Sequence, residues 1–405
     1  MKIPFSPPYI DDSVINEVVD SLKSGWITTG PKVNALESEI KNFTGAKEVL
    51  AVNSMTSGAI MMLKWLGLEE GDEVIVPAYT YSATALAVYH AGGTPVMVDT
   101  SEDFNISINA IRNAITQKTK AIIPVDFAGF PCDYEMIMDL VNEPKIKSQF
   151  IANSDIQTKL GRILVMNDAA HSLGARFSQE VKTGSETDIA IFSLHAVKNV
   201  TTAEGGAICL NLPEPFSNED LYKELRQMSL NCQTKDAFSK SQAGSWRYDI
   251  IGLGMKINMA DINAAIGLAQ MRIYPSLLAE RKRIFNRYNA AFKDLGWAVL
   301  PPAIKEGKES SYHIYALRIN NISEEKRDEI ITEISKQEVS VNVHFIPMPM
   351  LSFFKSKGFK IEDYPQAYDN YKREISLPIY PQLTDEQVDF IIETVINSYN
   401  KILKK

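Results

Sequence analysis

Between residues 47 and 210, short apolar runs typical of buried strands alternate with segments that have the pattern of helices. Such alternation favours a mostly parallel sheet that is covered by helices on both faces. The predicted fold class is therefore α/β, with a mixed, mostly parallel sheet. The clearest strand-like runs are 72–77, 95–100, 120–129, 163–168, 188–194 and 206–210.

The character of the sequence changes after residue 211. A long helical pattern over 258–292, which we expect to be broken or bent at Pro275, links this region to a C-terminal part of α+β character. Strands are expected at 313–319 and 339–345, a helix after Ser323, and a final amphipathic helix that opens with a capping box at Thr384. The predicted domains are an N-terminal arm and helix (1–25), a large domain (26–265) and a small domain (266–405).

Three reactive side chains follow strands of the predicted sheet. Lys198 lies between the strands 188–194 and 206–210, Asp168 ends the strand 163–168, and His171 follows it. Ligand sites of α/β folds lie at such strand ends, so we expect these groups to be neighbours. A nucleophilic lysine needs a carbonyl partner, most often the aldehyde of pyridoxal phosphate (PLP), whose ring nitrogen needs a carboxylate such as Asp168. The alternative is a solvated lysine and a capping aspartate.

Two further turns could contact such a cofactor. The turn 53–58 places Ser54, Thr56 and Ser57 at a helix start, where backbone N–H groups and the helix dipole favour a phosphate. An ordinary helix cap would have the same sequence. In the next strand-to-helix turn, Tyr79 and Tyr81 could stack on a flat ring or pack in the core.

Composition excludes several classes of protein. The net charge of −8 and the absence of basic runs argue against nucleic acid as a partner. No stretch approaches the roughly 18 apolar residues of a membrane span. Three scattered cysteines, Cys132, Cys209 and Cys232, fit a reduced cytoplasm, and the five histidines show no metal-binding spacing. We therefore expect a cytoplasmic protein without a metal or a membrane partner.

Several segments together resemble the DegT/DnrJ/EryC1/StrS sugar aminotransferases, which are PLP enzymes of the type I (aspartate aminotransferase) fold. The resemblance covers nearly the full chain. It implies a type I PLP-binding large domain followed by a smaller α+β domain. The segments that carry it are GDEVIVPAYTYSAT, TKAIIPVDFAGFPCD, DAAHSLGA, FSLHAVKN with the following TT and EGG, KINMADINAAIGLAQ, VHFIP and SLPIYP.

The resemblance implies a role for each matching residue. Lys198 would bond to the cofactor and move a proton, Asp168 would pair with the ring nitrogen, and Tyr81 would stack on the ring. His171, where many relatives have glutamine, would lie near the phenolic oxygen. The implied phosphate-binding positions are Met55, Thr56, Ser57 and Ser193, with Asn258 contributed by the second subunit of a homodimer with shared sites.

The resemblance also implies substrates. The amino donor would be L-glutamate and the acceptor a nucleotide-linked 4-keto-6-deoxy sugar, with a UDP-linked N-acetylhexosamine for surface polysaccharide, capsule or lipopolysaccharide, as the specific expectation. Cations for its diphosphate and groups for the sugar would come from residues that could equally be solvated or packed. These candidates are Lys235, Lys240, Arg247, Lys256, His313, His344 and Trp26.

Some features depart from the family pattern, and the sequence is compatible with more than one reaction of the family. Met55 replaces a glycine or alanine, which is acceptable if only its backbone N–H binds phosphate. The polar segment 143–161 is expected to be an irregular surface insertion, and 229–249 a long loop near the site. The alternatives are a 3-keto-sugar aminotransferase, a PLP-dependent sugar dehydratase, which Lys198 disfavours because dehydratases carry histidine there, and a non-catalytic PLP-binding regulator.

Overall fold

The computed structural model describes residues 1–234 and 247–403, and Lys235 and Lys240 lie outside this range. Its main sheet has the strand order β1-β7-β6-β5-β4-β2-β3. Strand β7 pairs antiparallel with both β1 and β6, and the pairs among β2 to β6 are parallel. The predicted α/β class with a mostly parallel sheet is confirmed. The strands are β1 (Glu48–Val52), β2 (Glu73–Pro77), β3 (Thr94–Val98), β4 (Thr119–Ile122), β5 (Leu164–Asp168), β6 (Ile189–Ser193) and β7 (Gly206–Leu210).

Both faces of this sheet are buried, which explains the continuous apolar runs in the sequence. In β6, Ile189 and Ile191 belong to one buried cluster, whereas Ala190 and Phe192 belong to the cluster on the opposite face. Neighbouring residues of a strand point to opposite faces, so each of the positions 189–192 needs an apolar side chain, and the strand ends with the polar Ser193.

Helices cover both faces of the sheet and form most of the C-terminal part. The first helix begins after Asp11, whose side chain accepts a hydrogen bond from the N–H of Val14, and ends at Gly25 in the left-handed conformation (φ 73°). The helices are α1 (Asp12–Ser24), α2 (Pro31–Thr44), α3 (Met55–Trp65), α4 (Ala83–Ala91), α5 (Ile108–Ala114), α6 (Tyr134–Asn142), α7 (Pro144–Gln149), α8 (Asp155–Leu160), α9 (Asn218–Met228), α10 (Asp261–Phe292), α11 (Glu324–Ser335), α12 (Ser352–Ser356), α13 (Pro365–Arg373) and α14 (Asp385–Leu403).

The expectation of an irregular segment over 143–161 is wrong, because α7 and α8 lie within it. Ser154 caps α8 by accepting a hydrogen bond from the N–H of Gln157, and it donates its own hydroxyl to the carbonyl oxygen of Leu66 (2.7 Å). Gln157 is fully buried and also donates to Leu66. These contacts attach the segment to the end of α3.

The C-terminal part contains a second, antiparallel sheet of strand order β12-β11-β8. It packs with α11, α14 and the second half of α10 around a separate buried cluster. The boundary between domains at residue 265 stays a prediction, because the other large cluster also includes Ile314 and Ala316 from the C-terminal part. The short strands are β8 (Ala298–Val299), β9 (Ile304–Lys305), β10 (Lys308–Glu309), β11 (Tyr315–Ile319) and β12 (Glu374–Leu377).

Two expected elements differ in the structure. Helix α10 runs through Pro275 as one element, so the predicted break is wrong. The lost hydrogen bond at a mid-helix proline is offset by the burial of Tyr274 and Leu277 on either side of it. The segment 339–345 is not a strand and makes only isolated bridge pairs, at Val339 and Asn342, because no neighbour continues the ladder.

Helix α10 connects the two parts of the chain along its length. Met271 and Tyr274 in its first half pack against the main sheet, in the cluster that contains Ala190. Phe285 and Tyr288 in its second half pack in the C-terminal cluster. Within the described ranges, no helix is both long and apolar enough to cross a lipid bilayer.

Candidate active site

A cavity of about 360 Å³ opens at the ends of the parallel strands, the edge at which α/β folds bind ligands. Turns of the main sheet form most of its wall, and the N-terminal arm and the C-terminal part complete it. The lining residues that matter below are Phe5, Ser6, Ser54, Met55, Thr56, Thr80, Tyr81, Thr84, Asp168, His171, Ser193, Lys198, His313, His344 and Phe345.

Lys198 projects into this cavity from the turn that follows β6, in which its own N–H donates to the carbonyl oxygen of His195 (2.9 Å). Burial of its ammonium group lowers the Lys198 pKa to about 8, against the opposing attraction of Asp168. About a tenth of the Lys198 side chains are therefore uncharged amines at pH 7, far more than for a lysine of ordinary pKa. An uncharged amine is the form that attacks a carbonyl carbon or removes a proton.

Asp168 is the last residue of β5 and is 5% exposed. Its Oδ2 accepts a hydrogen bond from the hydroxyl of Thr84 (2.8 Å), and its Oδ1 accepts one from the N–H of Ala170 (3.2 Å). Burial raises the Asp168 pKa to about 6, and the two hydrogen bonds act in the opposite direction. The site therefore holds a carboxylate in a fixed orientation and would favour a cation beside it.

Two histidines contact each other on the cavity wall. The rings of His171 and His313 lie 4.6 Å apart, and burial lowers the pKa of each well below its usual value, so both are uncharged at neutral pH. His313 Nδ1 is 2.9 Å from Oδ1 of Asn199. Among the described residues, Nδ1 of buried His171 has no hydrogen-bond partner, which marks it as a group that a ligand could satisfy.

The start of α3 borders the cavity with Met55 and Thr56. Ser54 caps the helix by accepting from the N–H of Ser57 (3.1 Å), and its own hydroxyl donates to Ser57 Oγ (2.8 Å). The first N–H groups of a helix have no acceptor within it and attract anions. The Met55 side chain belongs to the buried core, which is compatible with a role for its backbone alone.

A glycine allows β7 to approach this helix start. A Cβ atom on Gly206 would lie only 2.6 Å from the backbone N of Met55. Any larger residue would therefore displace the turn. Ser193, at the end of β6, also lines the cavity, and its hydroxyl oxygen accepts from the N–H of His195 (3.4 Å).

The two tyrosines considered in the sequence have different environments. Tyr79 is fully buried, and its hydroxyl donates to the carbonyl oxygen of His344 (2.6 Å). Tyr81 lines the cavity and is 63% exposed, with its ring 5.8 Å from that of Phe345. Tyr81 is thus the one placed to contact a ligand.

Five candidates among the described residues do not line the cavity of their own chain: Trp26, Ser57, Arg247, Lys256 and Asn258. Asn258 donates to Thr29 Oγ1 (2.6 Å) and accepts from Lys256, and Trp26 donates its ring N–H to the carbonyl oxygen of Thr29 (3.1 Å). Arg247 is exposed. Ser57 lies one residue beyond the lining part of α3. The roles expected for Asn258, Trp26 and Arg247 stay predictions.

Sequence reasoning missed several residues of the wall. Thr84 bonds to Asp168, and Phe5 from the N-terminal arm stacks on the His344 ring at 5.4 Å. Phe345 stacks on His171 at 6.0 Å. Thr84 and Phe345 lie in segments that carry the family resemblance, but nothing in the sequence assigns these contacts, because each depends on the approach of a distant segment.

Comparison with known proteins identifies the family. The sequence model of the DegT/DnrJ/EryC1/StrS aminotransferase family matches residues 8–396. The chain belongs to this family. It is 35% identical to the spore coat polysaccharide biosynthesis protein SpsC of Bacillus subtilis over 401 residues, which is 97% of this chain and 96% of SpsC. The predicted family and the prediction of a PLP-dependent sugar aminotransferase are confirmed.

Solved structures agree with this assignment. The putative sugar aminotransferase Spr1654 from Streptococcus pneumoniae, in its PMP form, is 44% identical and superposes with a TM-score of 0.95, covering 99% of this chain and all of its own. Spr1654 is also known in a PLP form. Helicobacter pylori PseC, an aminotransferase involved in the biosynthesis of pseudoaminic acid, is 25% identical, with a TM-score of 0.85 over 99% of this chain and 100% of its own.

PLP is the cofactor of this family, and the cavity fits it. It presents an amine, a buried carboxylate, a histidine nitrogen that has no hydrogen-bond partner among the described residues, and a helix start whose first N–H groups have no acceptor within the helix. These match an aldehyde, a ring nitrogen, a phenolic oxygen and a phosphate in turn. Among the described residues, no group of three or more His, Cys, Asp or Glu is placed to hold a metal ion.

Proposed function

We propose that this enzyme transfers the amino group of L-glutamate to carbon 4 of a nucleotide-linked 4-keto-6-deoxy sugar. Our specific candidate for the acceptor is a UDP-linked N-acetylhexosamine, and we place the reaction in the cytoplasm, in surface polysaccharide synthesis for capsule or lipopolysaccharide. The observation that carries the proposal is that Lys198 and Asp168 line one cavity in the family's fold. The functions of SpsC and PseC, in polysaccharide and pseudoaminic acid biosynthesis, support a sugar acceptor.

Lys198 is the proposed catalytic residue. When bound, PLP supplies an electron sink that acidifies the α-carbon of an amine substrate. The Lys198 Nζ would hold the cofactor and, once displaced by the amino donor, would carry a proton from that carbon. The lowered pKa suits both tasks, because an uncharged amine is available near neutral pH.

Asp168 would keep a proton on the ring nitrogen. Its carboxylate cannot rotate freely, since Thr84 and Ala170 each hold one of its oxygens. A cation beside it would oppose the effect of burial and lower the Asp168 pKa, so the pair would be ionised in the loaded enzyme. His171 Nδ1, to which no residue in the described ranges is hydrogen-bonded, would donate to or accept from the phenolic oxygen.

The phosphate would bind at the start of α3. The backbone N–H groups of Met55 and Thr56 would donate to it, with the hydroxyl groups of Ser57 and Ser193. Asn258 of a second copy would complete this site, which makes a homodimer part of the proposal. Tyr81 would lie against the ring.

The keto sugar and L-glutamate would occupy the outer part of the cavity. His313 and His344 face this space from the C-terminal part and would contact the sugar. Trp26 and the cations Arg247 and Lys256 are the proposed contacts for the sugar nucleotide's outer part. The roles of Trp26, Arg247 and Lys256 are proposed from residue type, since these three do not line the cavity of this chain.

The test begins with the two half-reactions taken separately. Adding L-glutamate to the PLP-loaded enzyme should bleach its yellow absorbance and release 2-oxoglutarate. A panel of 4-keto and 3-keto nucleotide sugars is then added, and amino sugars are identified by mass spectrometry. We expect product with a UDP-linked 4-keto-6-deoxy-N-acetylhexosamine. Amination of only 3-keto sugars, loss of water without amination, or bleaching without any accepted sugar would each contradict the proposal.

A further inference from the structure

A line of three side chains connects the cavity to the buried interior of the C-terminal sheet. The His344 ring lines the cavity, and its Nδ1 is 2.8 Å from the hydroxyl oxygen of Ser376. That hydroxyl is hydrogen-bonded in turn to Oε1 of Glu374. Ser376 and Glu374 are fully buried in β12, so solvent does not compete for these contacts.

Backbone contacts hold the three residues in register. Asn342 and Ser376 exchange two backbone hydrogen bonds, of 3.1 and 2.8 Å, which place the segment before His344 along β12. The N–H of His344 donates to Oε2 of Glu374 (3.1 Å), and Tyr79 donates to the His344 carbonyl oxygen (2.6 Å). The imidazole is therefore fixed with Nδ1 toward the interior, and no hydrogen bond within the described residues occupies its Nε2.

The hydroxyl of Ser376 carries a single hydrogen, which allows two arrangements of the line. In the first, a protonated Glu374 donates to Ser376, Ser376 donates to Nδ1, and His344 carries its hydrogen on Nε2. In the second, Nδ1 donates to Ser376, Ser376 donates to an ionised Glu374, and Nε2 has a free lone pair. The change from the first to the second moves two hydrogens along the line and releases one proton at Nε2.

We propose that Glu374, Ser376 and His344 form a proton relay that lends a proton to the carbonyl oxygen of the keto substrate at His344 Nε2. This inference rests on the proposed function. When an amine nitrogen bonds to a carbonyl carbon and the carbon–oxygen bond breaks, the oxygen leaves as water. The amine nitrogen loses two hydrogens in this exchange. One of them restores the relay after the relay has protonated the oxygen, and the other becomes the second hydrogen of the water. His344 is the catalytic member, and Ser376 and Glu374 are positioning residues.

The groups around Glu374, at the interior end of the line, allow its carboxyl group to lose its proton. Burial raises the Glu374 pKa to about 8. The charged and titratable groups that face Glu374 are Arg327 from α11, Arg318 from β11 and Tyr79 from the turn after β2. The two arginines favour the ionised form, so the carboxyl group can release its proton within the physiological range.

His344, at the cavity end of the line, is uncharged at neutral pH. Burial lowers the His344 pKa to about 3, with a smaller contribution from Lys198. The titratable groups that face this ring are Lys198, His171 and His313. The imidazole therefore stays neutral in both arrangements, and only the position of its hydrogen changes.

The first test follows the His344 tautomer in PLP-loaded enzyme by ¹⁵N and ¹³C NMR of labelled histidines, with the signal assigned from H344Q. In the wild type, we expect the hydrogen to move from Nε2 to Nδ1 as the pH rises through about 8. E374Q and S376A should each hold one tautomer from pH 6 to 9.5. E37Q is the matched control, because Glu37 is a buried, ion-paired carboxylate outside the cavity, and it should retain the change.

The second test measures turnover with any keto sugar that the enzyme accepts. E374Q and S376A should lower kcat by about 10- to 100-fold, at or below the lower end of the roughly 10²- to 10⁴-fold of general acid catalysis because the His344 ring remains in place, and KM should change less than about threefold. S376T keeps the hydroxyl and should recover most of the rate, which separates loss of the relay from loss of the fold. S398A, which removes a buried serine hydroxyl far from the cavity, should keep the wild-type rate.

The relay is refuted if the E374Q enzyme keeps the tautomer change, or if S376A and E374Q keep the wild-type kcat. The NMR test needs no sugar, so its result is independent of the sugar's identity. A tautomer change in an enzyme that aminates no 4-keto sugar would overturn the proposed acceptor and retain the relay. Amination of that sugar by S376A at the wild-type rate would retain the acceptor and overturn the relay.

Discussion

Replacing Asp168 by asparagine should make the PLP-free protein more stable above pH 6. The carboxyl pKa is raised from 3.8 to about 6 by burial. Because the folded-state pKa lies above the unfolded one, this group's contribution to stability is largest below pH 4 and is lost as the pH rises through 6. Two pKa units correspond to about 3 kcal/mol in the free energy of unfolding. Asparagine has nearly the same shape and never ionises, so D168N does not lose this stability as the pH rises.

The assay is thermal unfolding of PLP-free wild type and D168N at a series of pH values from 4 to 8. Unfolding entropies of roughly 2.1 cal/mol/K per residue, over 405 residues, convert 3 kcal/mol into a Tm difference of about 3–4 °C. D168N should gain this difference between pH 4 and 7. Adding PLP should reverse the order, because the ring cation pairs only with the wild-type carboxylate. Parallel Tm profiles for the two proteins across this range would refute the reasoning.

Three other substitutions test the site directly. K198A should lower turnover by at least about 10²-fold, with an unchanged circular dichroism spectrum, because no other group replaces the proton carrier; a wild-type rate would contradict its role. T84V removes a hydrogen bond to a charged oxygen worth about 1.5–3 kcal/mol, so the Asp168 pKa should rise by about 1–2 units, measured by ¹³C NMR of the carboxyl group. G206A places a methyl group 2.6 Å from the N of Met55, so fluorescence titration should show PLP binding at least tenfold weaker than in the wild type.

The arrangement of Lys198, Asp168 and His171 is predictable because each follows a strand of the alternating region. Parallel strands bring their carboxyl ends to one edge, so position along the strand is enough to place these groups together. Thr84 is different. It lies 84 residues from Asp168 and begins a helix, and nothing in its surroundings in the sequence indicates the hydrogen bond that joins them.

Pattern reasoning failed where pairing or capping decides the structure. The segment 339–345 has the alternation of a strand, but a ladder also requires a neighbour along its whole length, and the fold provides one at only two points. The helices within 143–161 are short and polar, so they lack the apolar pattern that indicates a helix. A signal was present in the capping residues, because Ser154 and Gly161 lie at the two ends of α8.

Helix α10 has a mechanical consequence. At a rise of about 1.5 Å per residue, its 32 residues form a rod about 48 Å long that is embedded in two hydrophobic clusters. Loss of helical structure at one end would withdraw side chains from one cluster and loosen the support of the other. The N-terminal end also holds α2 in place, because Asp261 accepts hydrogen bonds from the N–H groups of Gly30 and Val33. The shape of the cavity therefore depends on a helix whose second half is packed in the C-terminal cluster and not in the cavity wall.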